Sequence, residues 1–196
     1  ILSAFLGEVF GQKNPLALSA SLVFEQSYGG VDGDSASAAE LLVLLSALSR
    51  RPVRQGLAIT GSVNQKGQIQ AIGGVNEKIE GFFDICRKRG LRGKPGVVIP
   101  RANVQHLMLR ADVVAAIRKD SFRIYPIDRI EDGVALMMGA PAGVPGPDGD
   151  FPSGSVYRLV AFRLESFAAS MRRLVLPTPD GVPRGNGENG GKVAAL

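Results

Sequence analysis

The 196-residue chain has one cysteine, one histidine and no tryptophan, and each scarcity removes a class of function. Cys86 alone cannot build an intramolecular disulfide framework, and it fits a reducing, cytoplasmic setting. One histidine and one cysteine are too few for a transition-metal site. A Ser-His-Asp triad would have to use His106, which lies in Val104-Gln105-His106-Leu107-Met108-Leu109 on a predicted helix. A structural or surface role is the simpler reading of that residue. The chain has no G-x-x-x-x-G-K-S/T phosphate loop, and Gly29-Gly30-Val31-Asp32-Gly33 lacks a dinucleotide fingerprint. No apolar run is long enough to cross a bilayer, and no signal-peptide pattern opens the chain. No cofactor, metal or membrane segment is therefore expected in this chain.

What is present suits a core-forming domain with a short appendage: 45% of the residues are hydrophobic. The net charge of +5 raises the possibility of a nucleic-acid partner. Residues 1–150 carry 17 basic and 15 acidic side chains, and residues 156–196 carry 6 and 3, so the excess is not concentrated on one face. The dense cluster Arg87, Lys88, Arg89, Arg92 and Lys94 sits at a predicted helix end, where cations complement the helix dipole. The chain begins at Ile1 with helix-forming residues at once, as expected of a segment of a longer protein.

Taken in order, Ile1, Leu2, Phe5, Leu6, Val9 and Phe10 share a helical face that Gly11 ends. Leu18, Ala20, Leu22 and Phe24 alternate with Ser19, Ser21, Val23 and Glu25, which predicts a half-buried strand. A glycine-rich loop, Gly29 to Asp34, then leads to a helix over about Ser35 to Ser49, closed by Pro52. A short strand covers Leu57 to Thr60, and Gly61 to Gln70 read as a hairpin turning at Asn64-Gln65-Lys66-Gly67. A helix runs from about Val75 to Arg89 and stops at Gly90. Gly96 to Ile99 form a buried strand, 102–119 hold one or two helices, Phe122 to Ile127 a strand and Ile130 to Met138 a helix. Alternating strands and helices place the fold in the α/β (α+β) class, with small sheets packed against helices.

Composition shifts after Gly139, since 7 of the 12 prolines lie from Pro141 onward. The expected organisation is a domain over 1–139, a Pro/Gly linker over 140–155, an amphipathic helix over 156–176 and a disordered tail over 177–196. Val156, Leu159, Val160, Leu164, Phe167, Met171 and Leu174 form the apolar stripe of that helix, which docks on its own domain in the simplest reading.

Two residues invite chemistry. Ser35 stands at a strand–loop–helix junction, where free backbone N–H groups and the helix dipole favour a developing oxyanion. Its bland reading is an N-cap or turn residue. Lys78, 43 residues on, would occupy the first turn of the helix after Gly73-Gly74, a position the dipole makes unfavourable for a cation. Its bland reading is a solvated surface lysine, but a misplaced cation among Gly73, Gly74, Val75 and Ile79 is the kind of local conflict functional sites show.

Three motifs in register carry a resemblance: Asp32-Gly33-Asp34-Ser35-Ala36-Ser37, Thr60-Gly61-Ser62-Val63-Asn64-Gln65-Lys66-Gly67 and Ile72-Gly73-Gly74-Val75-Asn76-Glu77-Lys78. Together they resemble the proteolytic domain of Lon proteases over about residues 1–140. The Asp-Ser pair, in place of Pro-Ser, is more similar to the archaeal-type branch and related bacterial Lon-like proteins. The tail after Gly139 resembles an extension in some of the latter. The resemblance implies a Lon-type fold and a serine endopeptidase with Ser35 as nucleophile, Lys78 as its base and Thr60 bonded to the lysine amine. It also implies unfolded or damaged protein substrates and hexameric rings. An AAA+ module using ATP and Mg would feed in the substrate. That module, and the β-rich opening of the proteolytic domain, are not within these residues.

The chemistry is consistent with that implication. Serine needs an adjacent base, and a lysine can serve once neutral, which requires its pKa to fall from about 10.4 in water. Burial and the positive end of a helix both push that way, and both are expected at Lys78. Two other readings stand beside the peptidase. One is a catalytically silent Lon-fold binding or assembly module, against which the intact Ser35, Lys78 and Thr60 argue. The other is RNA binding, suggested by a fold similarity to a ribosomal-protein domain and opposed by the charge distribution.

Overall fold

The computed structural model describes residues 1–12, 15–24 and 33–175. Six α-helices lie among them: α1 Leu2–Phe10, α2 Ser37–Ser49, α3 Val75–Lys88, α4 Ala111–Arg118, α5 Ile130–Met138 and α6 Val156–Val175. Five strands accompany them: β1 Leu57–Ile59, β2 Ser62–Val63, β3 Ile69–Gln70, β4 Gly96–Pro100 and β5 Arg123–Ile127. A 3-10 helix covers Arg101–His106.

β1, β4 and β5 make a parallel sheet with β4 in the middle, and β2 and β3 make a separate antiparallel hairpin. Every residue of β4 is buried, as a central parallel strand covered on both faces must be. Its side chains divide by parity: Val98 enters one core, while Val97 and Ile99 enter the other. The first core is walled by α1, α2, α5 and α6 around Leu41, Leu45, Val134 and Val160. The second is walled by α3 and α4 around Ile79, Phe83, Val113 and Phe122.

The helices follow their sequences. In α3, Val75, Ile79, Phe83 and Cys86 are buried at one-turn spacings, and the opposite face is polar. The Ala/Leu-rich α2 buries Leu41, Leu42, Leu44, Leu45 and Leu48, leaving Val43 exposed. It lies between the hairpin on one side and α5 and α6 on the other, so one stripe would not suffice. α5 spans the expected residues and ends at Gly139, whose φ of +66° is a left-handed C-cap that glycine accepts without strain.

Two elements depart from expectation. Residues 15–24 form no strand despite their alternation, and Leu22, Val23 and Phe24 are exposed. A strand needs a ladder partner, and no described strand pairs with this stretch. The flanking Glu25, the loop residues Gly29 to Asp32 and the tail 177–196 lie outside the described residues. The second departure is in the apolar face of α6. Val156, Val160 and Leu164 are buried with Tyr157 and Ala168, whereas Met171 is 54% exposed. Residues before α6 lie against the domain: Ala140 and Ala142 are buried, and the Val156 and Tyr157 N–H groups donate to Pro141 O and Ala142 O. No described helix is long and apolar enough to cross a membrane.

Candidate active site

Ser35 is held between a left-handed Gly33 (φ +85°) and the start of α2. The chain after β1 runs alongside and secures the turn residue by residue. Gly61 N–H donates to Ser35 O at 2.9 Å, and Thr60 Oγ1 donates to the same carbonyl at 3.3 Å. Ala38 N–H donates to Gly61 O at 3.2 Å, Val63 N–H to Ser37 Oγ at 2.9 Å, and Ser62 Oγ to Asp34 Oδ2 at 2.6 Å. This closeness explains Gly61. A Cβ there would come within 3.2 Å of Ile69 Cγ2 and 3.8 Å of Ala38 Cβ.

Lys78 arrives from the other core. Gly74, with φ +65°, caps α3, and Lys78 N–H makes an i to i−4 bond to Gly74 O at 3.1 Å. Lys78 thus stands in the first turn, where its backbone is rigid and its side chain can swing across the end of β1. Nζ donates to Ser35 Oγ at 2.9 Å and to Thr60 Oγ1 at 3.4 Å. Thr60 is buried, whereas Lys78 is exposed, so the expected burial of the lysine is not met. The physical reason is its place at the mouth of the cleft rather than beneath it. None of the ion pairs among the described residues includes Lys78.

Sequence reasoning missed the residues that hold these two in place. Buried Asn103 accepts from Ile72 N–H at 3.0 Å and donates to Ile72 O at 2.9 Å, clamping the loop before Gly73. Asn76 donates to His106 O and accepts from Met108 N–H, tying the start of α3 to the 3-10 helix. Asn103 and His106 were expected on a helix, and an isolated asparagine carries no local signal that its partner lies 31 residues away. His106 is exposed and lies outside the cleft.

Ser35, Thr60 and Lys78 line a cleft of about 290 Å³ with Ala36, Ala39, Ala58, Ile59 and Val97. Ser35, Thr60 and Lys78 supply its polar side chains, and the rest of its lining is apolar. No acceptor among the described residues takes the N–H of Ser35 or of Ala36. Among the described residues no three His, Cys, Asp or Glu side chains could hold a metal ion. The arrangement offers a hydroxyl within proton-transfer distance of an amine, beside two N–H groups that have no acceptor among the described residues.

Comparison with known proteins agrees with the motif reading. A model of the Lon protease (S16) C-terminal proteolytic domain matches residues 28–139. A Lon protease homolog of Escherichia coli K12 is 52% identical over 138 residues, covering 70% of this chain and 24% of that protein. A Lon protease homolog of Haemophilus influenzae is 46% identical over 173 residues, covering 88% of this chain and 29% of that protein. An archaeal Lon protease of Pyrococcus abyssi is 37% identical over 115 residues, covering 59% of this chain and 10% of that protein. The chain spans less than a third of the length of these relatives. With more than half of its residues matched in one block, the chain belongs to the Lon protease (S16) family and carries its C-terminal proteolytic domain.

Proposed function

We propose that this domain is a serine endopeptidase that cleaves unfolded protein chains with Ser35 as nucleophile and Lys78 as general base. The observation that carries the reading is the 2.9 Å contact between Lys78 Nζ and Ser35 Oγ, made across two separate cores. At that separation the proton can lie on either atom. Neutral Lys78 takes the Ser35 proton as Oγ attacks the scissile carbonyl. The resulting lysinium returns the proton to the leaving amine, and water, deprotonated by the same amine, releases the acyl-enzyme. Thr60 Oγ1 orients Nζ toward Oγ. The N–H groups of Ser35 and Ala36 receive the negative charge on the carbonyl oxygen, at the end of α2 where its dipole is positive.

In the longer protein we further propose a homo-oligomeric, hexameric ring in which an ATP-driven AAA+ module delivers the substrate. Nothing in this chain has the phosphate-loop pattern, so nucleotide and Mg would be held outside it. The test is cleavage of a permanently unfolded protein by the full-length protein. Ser35→Ala and Lys78→Ala should each abolish cleavage while the circular dichroism spectrum stays that of the parent. Undiminished cleavage in either variant overturns the dyad, and a parent that binds unfolded protein without cutting it identifies a silent binding module. Cleavage of folded substrates at the same rate with and without ATP would count against the delivery model.

A further inference from the structure

The five hydrogen bonds between residues 60–63 and the nucleophile turn are not equivalent. Three have backbone donors, and Thr60 already touches the lysine. The remaining one, from Ser62 Oγ to Asp34 Oδ2 at 2.6 Å, is the shortest and joins two side chains. Ser62 is 2% exposed and Asp34 is exposed, so a buried hydroxyl reaches outward to hold a surface carboxylate. The other acceptor near Ser62 Oγ, Gln70 Oε1, is at 3.4 Å, so the single hydroxyl proton goes to Asp34. A hydroxyl-to-carboxylate bond of this length belongs to the stronger, charge-assisted class.

We infer that Ser62 is a positioning residue for the reaction, latching Asp34 so that the adjoining Ser35 Oγ stays aimed at Lys78 Nζ. The inference rests on the dyad reading above. Asp34 O also accepts from Ser37 N–H at 3.0 Å, so Asp34 is gripped at its side chain by the hairpin and at its carbonyl by α2. Its backbone is thereby fixed on the side of Ser35 that the Gly61 and Thr60 bonds do not reach. Without the latch, left-handed Gly33 leaves the turn a nearby hinge, because glycine moves between conformations at little steric cost. A displacement of about 1 Å at the reacting atoms can lower a rate about a hundredfold.

The test is steady-state cleavage of a fluorogenic peptide by the full-length protein. Ser62→Ala should lower kcat about ten- to a hundredfold with KM within about twofold, the pattern of lost orientation rather than lost binding. Ser62→Thr, which keeps the hydroxyl, should recover most of kcat. Asp34→Ala should match Ser62→Ala, and the double variant should be no worse than either alone, since both remove the same bond. Parental kcat in Ser62→Ala, or fully multiplicative losses in the double variant, overturns the latch. Should Ser62→Ala fail to fold, the exposed Asp34→Ala carries the test, and parental kcat there overturns it equally. Ser35→Ala is the separating control. If it cleaves as well as the parent the dyad reading itself fails, whereas a dead Ser35→Ala beside a normal Ser62→Ala removes the latch alone.

Discussion

Two clefts among the described residues differ sharply, and the larger is not the one that holds Ser35 and Lys78. A cavity of about 1060 Å³ opens between α1, α5 and α6, lined in part by Phe10, Phe151, Tyr157, Arg129 and Glu131. The cleft over Ser35 and Lys78 is about 290 Å³. In the large cavity Tyr157, Glu131 and Arg129 are spent on one another. Tyr157 donates to Glu131, which also pairs with Arg129, and the Phe10, Phe151 and Tyr157 rings pack edge to face or tilted. Burial, then the Glu131 charge, pushes the Tyr157 phenol up, so it remains a proton donor. In the small cleft the Lys78 amine meets the Ser35 and Thr60 hydroxyls and takes part in no ion pair among the described residues, and the Ser35 and Ala36 N–H groups beside them find no acceptor among those residues. Volume marks where space was left; convergence of uncommitted polar atoms marks where a reaction can be run.

That contrast can be broken first at Lys78. Lys78→Arg keeps the charge and nearly the length, yet guanidinium stays protonated and cannot be a base. Cleavage of an unfolded protein should fall at least about a thousandfold, as when a general base is removed. Retained turnover would show that the cation, not the base, matters. Thr60→Val, which removes only the hydroxyl near Nζ and Ser35 O, should lower kcat roughly tenfold with little change in KM, in line with one lost hydrogen bond.

The large cavity should respond in stability instead. Leu164→Ala deletes a buried wall residue of α6 and should cost about 2–5 kcal/mol of unfolding free energy in urea melts, with kcat within about twofold of the parent. Tyr157→Phe, which removes the bond to Glu131, should cost about 1 kcal/mol and also leave turnover alone. A large loss of turnover in either variant would make the second cleft part of the reaction after all.

The smallest effect is expected at the surface ion pairs, remote from both clefts. Hydrogen bonds from Arg123 and then Lys94 hold the Asp120 carboxyl well below the usual carboxylate range. Its folded-state pKa is therefore lower than its unfolded one. The stabilisation is present above the unfolded value near 4 and disappears as pH falls through the folded value. Because Asp120 is exposed, the gain is small and screened. The melting temperature of the parent should exceed that of Asp120→Asn slightly at pH 7, and the gap should close on acidification.

Helix α5, hairpin β2–β3 and strand β4 were legible because each is specified by neighbours in the chain. Apolar spacing, Asn64 to Gly67 at a turn, and an unbroken apolar run are all local. The stretch 18–24 misled because alternation states only which side chains would share a face, while a strand exists only where another strand supplies its hydrogen bonds. For α6, the apolar stripe was visible, but Tyr157 in place of Met171 on the buried face depends on where α2 and the Phe5 and Phe10 rings lie. Asn103 and Ser62 were illegible because polar residues in a sequence do not reveal which distant atoms they bond.

By itself the sequence determined the family and the alternation of helices and strands, and it singled out Ser35, Thr60 and Lys78 as candidates, because motif residues and apolar periods are written in short windows. Only the tertiary structure decided that Lys78 Nζ reaches Ser35 Oγ, that Lys78 is exposed while Thr60 is buried, and that Ser62 grips Asp34. The reason is geometric. These contacts join the two faces of one sheet and a hairpin across separations of 18 to 43 residues, and distances of that kind are set by how two cores pack about β4, which no local pattern encodes.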